Sequence, residues 1–309
     1  MKIVFMGTPE FSVSTLKALY DNRFSIDLVI TQQDKPKGRG KKIQYTPVKE
    51  MALNLGLEVY QPSSVNDKET IDRIKEINPD FIVVVAYGQI LKKDILDIPR
   101  YGCYNVHASL LPKYRGAAPI NWAIINGETE TGVTIMEMEE GLDTGDMLLW
   151  ESIDIDVNDD AQVIHDKLSD LGGKLIIEAL QGLKSGVIKK TPQNDDLSTY
   201  ASMLYKEMGR INWNDSSQYI YNLVRGLKPW PSAYTKYKEE IIKIHKVSLI
   251  NKFKDGKNGE IVKVNNEGIY VNTSDKTIII EELQFPGKKR MGVSEYLKGN
   301  SIETNIILE

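Results

Sequence analysis

The chain has 309 residues, of which 41% are apolar and 27% charged, with a formal net charge of −4. That length exceeds one typical core and predicts two domains of ordinary globular composition. No apolar run nears the ~18 residues of a membrane span, the run at residues 2–6 lacks a signal-peptide cleavage site, and the lone Cys103 excludes a disulfide framework or a cysteine-rich zinc site, so a soluble cytoplasmic protein is expected.

In chain order, Lys2–Met6 reads as a short buried strand. It leads into Gly7-Thr8-Pro9-Glu10, where Thr8 is expected to cap a helix carrying Val13, Leu16 and Leu19 at helical spacing. Strand Ile26–Thr31 follows, then a helix from Thr46-Pro47, a strand at Leu57–Tyr60 and an amphipathic helix at Asp67–Ile77. Phe81–Ala86 is a continuous apolar run, the pattern of a strand buried on both faces. Gly102–Val106 and Val133–Met138 read as further strands, with a helix from Pro119 between them and a long helix at Ala161–Leu183. Alternating strands and helices predict a Rossmann-like α/β domain with a parallel, doubly wound sheet. The first turn lacks G-x-G-x-x-G, which argues against a dinucleotide site.

The expected layout is a catalytic domain over residues 1–184, a polar linker over 185–204 and a second domain over 205–309. The second domain begins with helix Ser216–Leu227. It continues with short strands at Ser232–Tyr237, Ile241–Ser248, Gly259–Val264, Gly268–Asn272 and Thr277–Leu283, which predict a small OB-like β-barrel. Charge is uneven. From Lys206 to Glu309 there are 17 basic and 13 acidic residues, against 22 and 30 before it. A locally basic region can meet phosphate inside an acidic protein.

Ligands of open α/β sheets bind beyond the carboxyl ends of the strands. There lies Asn105-Val106-His107, whose first and third residues share a strand face. They pair a neutral hydrogen-bond donor with a group that titrates near neutrality. A stiff loop follows, Ser109-Leu110-Leu111-Pro112 through Gly116 to Pro119, suited to a flat organic ligand. In Glu140-Gly141-Leu142-Asp143-Thr144-Gly145, two glycines bracket Asp143 just after a strand. That position is expected at the same sheet edge as His107. An Asn/His/Asp set of this kind can move an amine proton and steady a tetrahedral oxyanion. No nucleophile elbow is present, so a covalent acyl-enzyme is not indicated. The three histidines show no metal-ligand spacing, and no metal is expected.

Asn105-Val106-His107, Ser109-Leu110-Leu111-Pro112 and Leu142-Asp143-Thr144-Gly145 together resemble the signature of the folate-dependent formyltransferases. The resemblance implies 10-formyltetrahydrofolate as donor and Asn105, His107 and Asp143 as the catalytic trio. It further implies a folate pocket lined by Ser109, Leu110, Leu111 and Pro112, with the pterin met by the backbone of Tyr87, Gly88, Gln89 and Ile90. Residues 34–42 supply Lys35, Lys37, Arg39, Lys41 and Lys42 on a glycine-containing stretch. This stretch is similar to the tRNA-engaging loop of the branch that formylates initiator methionyl-tRNA. The basic C-terminal region, with Lys288-Lys289-Arg290, is similar to that branch's OB-like domain. A monomer is implied as well.

The rival acceptor is an amino sugar on a nucleotide, for which a short acidic loop in place of residues 35–42 would be expected. A non-catalytic nucleic-acid-binding protein would need an aromatic stacking platform, and none is clearly arrayed on the predicted strands.

Overall fold

The computed structural model describes the whole chain apart from residues 38–41 and residue 254. The first strands are β1 (Lys2–Gly7), β2 (Ser25–Ile30), β3 (Lys35–Lys37), β4 (Lys42–Gln44), β5 (Val59–Tyr60), β6 (Phe81–Val85) and β7 (Cys103–His107). They are followed by β8 (Arg115–Gly116), β9 (Glu130–Glu137), β10 (Met147–Asp154) and β11 (Tyr200–Ala201). The remaining strands are β12 (Ala233–Tyr237), β13 (Glu240–Phe253), β14 (Ile261–Asn265), β15 (Gly268–Asn272), β16 (Lys276–Gln284) and β17 (Met291–Gly292). The helices are α1 (Val13–Asp21), α2 (Pro47–Asn54), α3 (Lys68–Ile77), α4 (Lys93–Leu96), α5 (Pro119–Ile125), α6 (Ala161–Ser185), α7 (Ser217–Gly226) and α8 (Val293–Tyr296).

Two compact units form, and the division is not a single cut in the chain. The first holds Met1–Gly116, Glu130–Asp154 and His165–Ala201; the second holds Ala117–Thr129, Ile155–Ile164 and Ser202–Glu309. The physical reason lies in α5, whose Ile125 joins a core with Ile220, Leu223 and Val224 of α7.

In the first unit seven strands lie in the order β10-β9-β7-β6-β1-β2-β5. The pairs β7/β6, β6/β1, β1/β2 and β2/β5 are parallel. Strand β6 is buried along its length, as a central strand covered on both faces must be. One face carries Val4, Met6, Leu28, Ile30, Ile82 and Val84, the alternate residues of three neighbouring strands. They pack with Val65, Ile74, Tyr87 and Ile95. Each such side chain contributes roughly 1.5–3 kcal/mol on burial. Helix α6 approaches the sheet closely at Gly172, where a Cβ would sit 2.6 Å from Val106 Cγ1.

Local signals specify the helix starts. Thr46 accepts from Lys49 N to cap α2, and Asp67 accepts from Thr70 N to cap α3. Thr8 does not cap a helix. Pro9 opens a short 3-10 turn, and the Thr8 hydroxyl donates instead to the Tyr87 carbonyl at 2.9 Å.

The purely parallel sheet expected from the alternating pattern is corrected at one end. Strand β9 runs antiparallel to β7, and β10, which the sequence pattern did not reveal, runs antiparallel to β9.

In the second unit the strand order is β12-β13-β16-β15-β14, all antiparallel, with β17 added to β16. Register shifts along β13 let this 14-residue strand curl. Residues 305–309 join the two outer strands. Ile261 N donates to Ile306 O and Asn305 N to Ile261 O on one side. On the other, Lys236 and Glu309 exchange backbone hydrogen bonds. The chain end thereby bridges β14 at Ile261 and β12 at Lys236, in keeping with the OB-like barrel the strand pattern predicts.

Candidate active site

Cys103, Asn105 and His107 alternate onto one face of β7. At Cys103 that face is closed by α4, with Sγ 3.7 Å from Leu96 O, and burial pushes the thiol well above its ordinary pKa. Further along, Asn105 is half-buried, and His107 is buried, with 5% of its surface exposed.

The route by which Asp143 arrives differs from the expectation. Because β9 is antiparallel, its carboxyl end lies beside Tyr104, at the start of β7, while His107 pairs with Thr134. Residues 138–146 then fold back, tied by Met138 N to Cys103 O and by Glu137 N to Asp146 O, both at 2.8 Å. Gly145 is required for this return, since a Cβ there would lie 2.0 Å from Glu137 O. Asp143 sits at the turn with φ +54°, a left-handed conformation that costs a non-glycine residue on the order of 1–2 kcal/mol.

The carboxylate is gripped. Oδ2 accepts from Gly116 N at 2.9 Å and lies 3.6 Å from His107 Nδ1, while Oδ1 lies 3.5 Å from Asn105 Nδ2. His107 Nε2 is 2.9 Å from the Tyr114 carbonyl, an acceptor only. That contact assigns the ring proton to Nε2 and leaves Nδ1 facing Asp143. The trio expected from the sequence is therefore one constellation.

The loop after β7 is locked from below. Thr134 Oγ1 accepts from Leu111 N and donates to Ser109 O, and Ser109 Oγ donates to Lys113 O. Leu111 is buried with Met136 and Met147, and Leu110 lies against Gly132, where a Cβ would come within 2.5 Å of it. The Leu111–Pro112 peptide is cis.

The segment after β6 is held as well. The Tyr87 ring is buried, and its carbonyl accepts from Thr8 Oγ1 and Gln32 Nε2. Gln89 turns inward, its Oε1 accepting from Val65 N at 2.8 Å. At Gly88 an added Cβ would meet only Gln32 Nε2, at 3.7 Å, and the Ile90 side chain is 76% exposed. The Ile90 carbonyl accepts from Asn66 Nδ2 at 2.8 Å, so the open backbone of this segment is at Gly88, beside the exposed Ile90 side chain.

Lys35, Lys37 and Lys42 lie on the β3–β4 hairpin, whereas Arg39 and Lys41 lie outside the described residues. The hairpin's base is anchored by Asp34, which accepts from Lys49 and Gln61. Burial opposes ionisation of Asp34, but these hydrogen bonds outweigh it and hold its carboxyl below the ordinary value.

One residue of the site escaped the sequence reading. Gln193, in the segment read as linker, donates through Nε2 to Asp143 O and Gly145 O, each at 2.8 Å. Its only sequence signal is a polar side chain in a proline-containing stretch, indistinguishable from solvated linker. Among the described residues no group of His, Cys, Asp and Glu is placed to hold a metal ion, and no helix is long and apolar enough to cross a membrane.

Residues 1–180 match the formyl transferase family model, and residues 203–301 match the formyl transferase C-terminal domain model. The methionyl-tRNA formyltransferase of Clostridium acetobutylicum is 54% identical over 100% of both chains, and that of Clostridioides difficile 52% over 100% of both. Among solved structures, an N-formyltransferase from Helicobacter canadensis, in complex with folinic acid and dTDP-3-aminofucose, superposes with a TM-score of 0.67 at 22% identity. That match covers 91% of this chain and 98% of the other, and at such identity it supports the fold alone. With both family models in the expected order and full-length relatives at about half identity, the chain belongs to the formyl transferase family, among the methionyl-tRNA formyltransferases.

Proposed function

We propose that this chain transfers the formyl group of 10-formyltetrahydrofolate to the α-amine of initiator methionyl-tRNA, acting as a monomer in the cytoplasm, with Asn105, His107 and Asp143 as its catalytic residues. The observation that carries the residue assignment is the Asp143 carboxylate lying 3.6 Å from His107 Nδ1 and 3.5 Å from Asn105 Nδ2. The folate donor supplies a formyl carbon activated on N10, and Ser109 to Pro112 with Tyr87 to Ile90 are the residues that would hold it.

The chain's own residues manage protons and charge. The Tyr114 carbonyl keeps a proton on His107 Nε2, so a neutral ring offers Nδ1 as the acceptor. Asp143 lies beside that nitrogen, and the two share the proton leaving the attacking amine. Once protonated at Nδ1, the ring is stabilised by the carboxylate, and the proton would pass to N10 as the C–N10 bond breaks and tetrahydrofolate leaves, while Asn105 Nδ2 donates toward the developing oxyanion. A donor of this kind contributes ~2.7–4 kcal/mol in comparable enzymes. Lys35, Lys37, Arg39, Lys41 and Lys42 are proposed to meet the acceptor stem, where cationic groups position phosphates.

The deciding assay supplies labelled 10-formyltetrahydrofolate with charged initiator tRNA or with an amino-sugar nucleotide. Label on the tRNA supports this reading; label confined to the sugar would overturn the acceptor while keeping the catalytic residues.

A further inference from the structure

We infer that Gln193 is a positioning residue for the formyl transfer, the clamp that holds the Asp143 turn against the Arg115–Gly116 strand. This inference rests on the catalytic assignment above.

The amide of Gln193 is fully committed. Nε2 spends both protons on the carbonyls of Asp143 and Gly145, at 2.8 Å each. Oε1 accepts from Arg115 Nε at 3.0 Å and from Arg115 Nη2 at 2.8 Å. Two carbonyls on one side and a guanidinium on the other permit only this amide orientation. Arg115 is itself 12% exposed at its side chain, and Nη2 also donates to Asp195 at 2.7 Å. One side chain therefore ties together the two segments that form the catalytic contact. The first contributes Gly116 N, which donates to Asp143 Oδ2 at 2.9 Å. The second contributes Asp143 itself.

The segment that carries Gln193 is stitched to the same loops along its length. Thr191 and Met147 exchange backbone hydrogen bonds. Thr199 N donates to Pro112 O and accepts through its own carbonyl from Arg115 N, while Thr199 Oγ1 accepts from Tyr114 N. Strand β11 then pairs in parallel with β8, Tyr200 opposite Arg115 and Ala201 opposite Gly116. Residues 191–201 thus act as a strap, and Gln193 is the point at which the strap reaches the Asp143 backbone. Asp143 is held in a left-handed conformation, φ +54°, with its carbonyl fixed on Gln193. Without the Gln193 donors the turn is free to relax, and the Asp143–His107 distance changes with it. A displacement near 1 Å at such a contact costs up to about 10²-fold in rate.

The test compares the intact chain with Gln193→Ala and Gln193→Glu. The glutamate variant keeps the acceptor for Arg115 but removes both donors to the Asp143 turn. Initial rates with charged initiator tRNA give kcat, KM for tRNA and the pH profile of kcat, and thermal unfolding reports the fold. The clamp predicts that both variants lose kcat by about 10–10²-fold, with KM for tRNA nearly unchanged and the pH profile displaced. Leu197→Ala, on the same strap but 61% exposed, should keep the parent rate. Gln193→Glu retaining the parent kcat and pH profile would overturn the inference, as would a loss matched by lowered thermal stability alone. If the unaltered chain forms no formyl-methionyl-tRNA, the catalytic reading fails first and the clamp with it. An active parent with active variants removes the clamp only.

Discussion

The backbone N–H of Gly116 donates to Asp143 Oδ2 at 2.9 Å, and that oxygen also faces His107 Nδ1 at 3.6 Å. One oxygen thus links a backbone strand to the imidazole, so the carboxylate cannot rotate without losing a charge-assisted hydrogen bond. On the catalytic assignment proposed above, that rigidity would let a proton be shared along a defined line.

Asp143→Asn keeps the size and the Gly116 contact where the amide oxygen takes the Oδ2 place, but it removes the charge. Turnover should fall by about 10²–10⁴-fold, and His107→Ala should fall comparably, with thermal unfolding close to that of the parent. Single-turnover formylation with saturating tRNA is the direct measure. Near-parent turnover in both variants would falsify the assignment.

Gly116→Ala probes the backbone donor. Gly116 has φ +113°, and a Cβ would lie 2.6 Å from Ala201 O and 2.7 Å from Tyr200 Cε2. The strand pairing must open and the N–H must move away from Asp143. We expect a loss in kcat on the order of 10²-fold with some loss of stability. An unchanged kcat would mean that Asp143 needs no backbone partner.

The hairpin base tests the proposed tRNA contact. Gln61 donates to Asp34 and to the Gln32 carbonyl and accepts from Lys49. Gln61→Leu unties this anchor without altering charge. KM for charged tRNA should rise severalfold while slow hydrolysis of 10-formyltetrahydrofolate is spared. Arg39→Ala should behave likewise, and raised salt should weaken tRNA binding steeply through counterion release. Parallel loss of both activities would place the defect in the catalytic residues instead.

His245 in β13 offers a pH test of the second unit. Burial lowers its pKa and the nearby Arg290 and Lys243 lower it further, outweighing the Gln284 hydrogen bond and Glu282. The folded state therefore binds this proton less readily than the unfolded chain. Stability is unaffected above the ordinary value of about 6.5 and declines as pH falls through it. Gln in place of His retains a donor to Gln284 and does not titrate. Denaturant unfolding between about pH 7.5 and 5.5 should show a smaller acid loss for His245→Gln. An identical loss in both proteins would exclude His245 as a source.

Much of this protein was legible in its sequence because the signals are local. The helix starts at Thr46-Pro47 and Asp67 are marked by the residues there, and the all-apolar β6 declares itself a central strand. Asn105 and His107 share a face because strand side chains alternate, which no packing can change. What tertiary structure decided involves direction and distance along the chain. Whether β9 joins β7 parallel or antiparallel depends on which edge is free when the strand arrives, and an apolar run carries no sign of its direction. Asp143 consequently reaches His107 by a loop that doubles back, not from a shared strand end. Gln193 sits 50 residues from the carbonyl it holds, and Glu309 closes the barrel 73 positions beyond its partner Lys236. Such bonds are specified only once the intervening chain has folded, because a polar side chain in a loop looks the same in sequence whether it meets water or a backbone carbonyl.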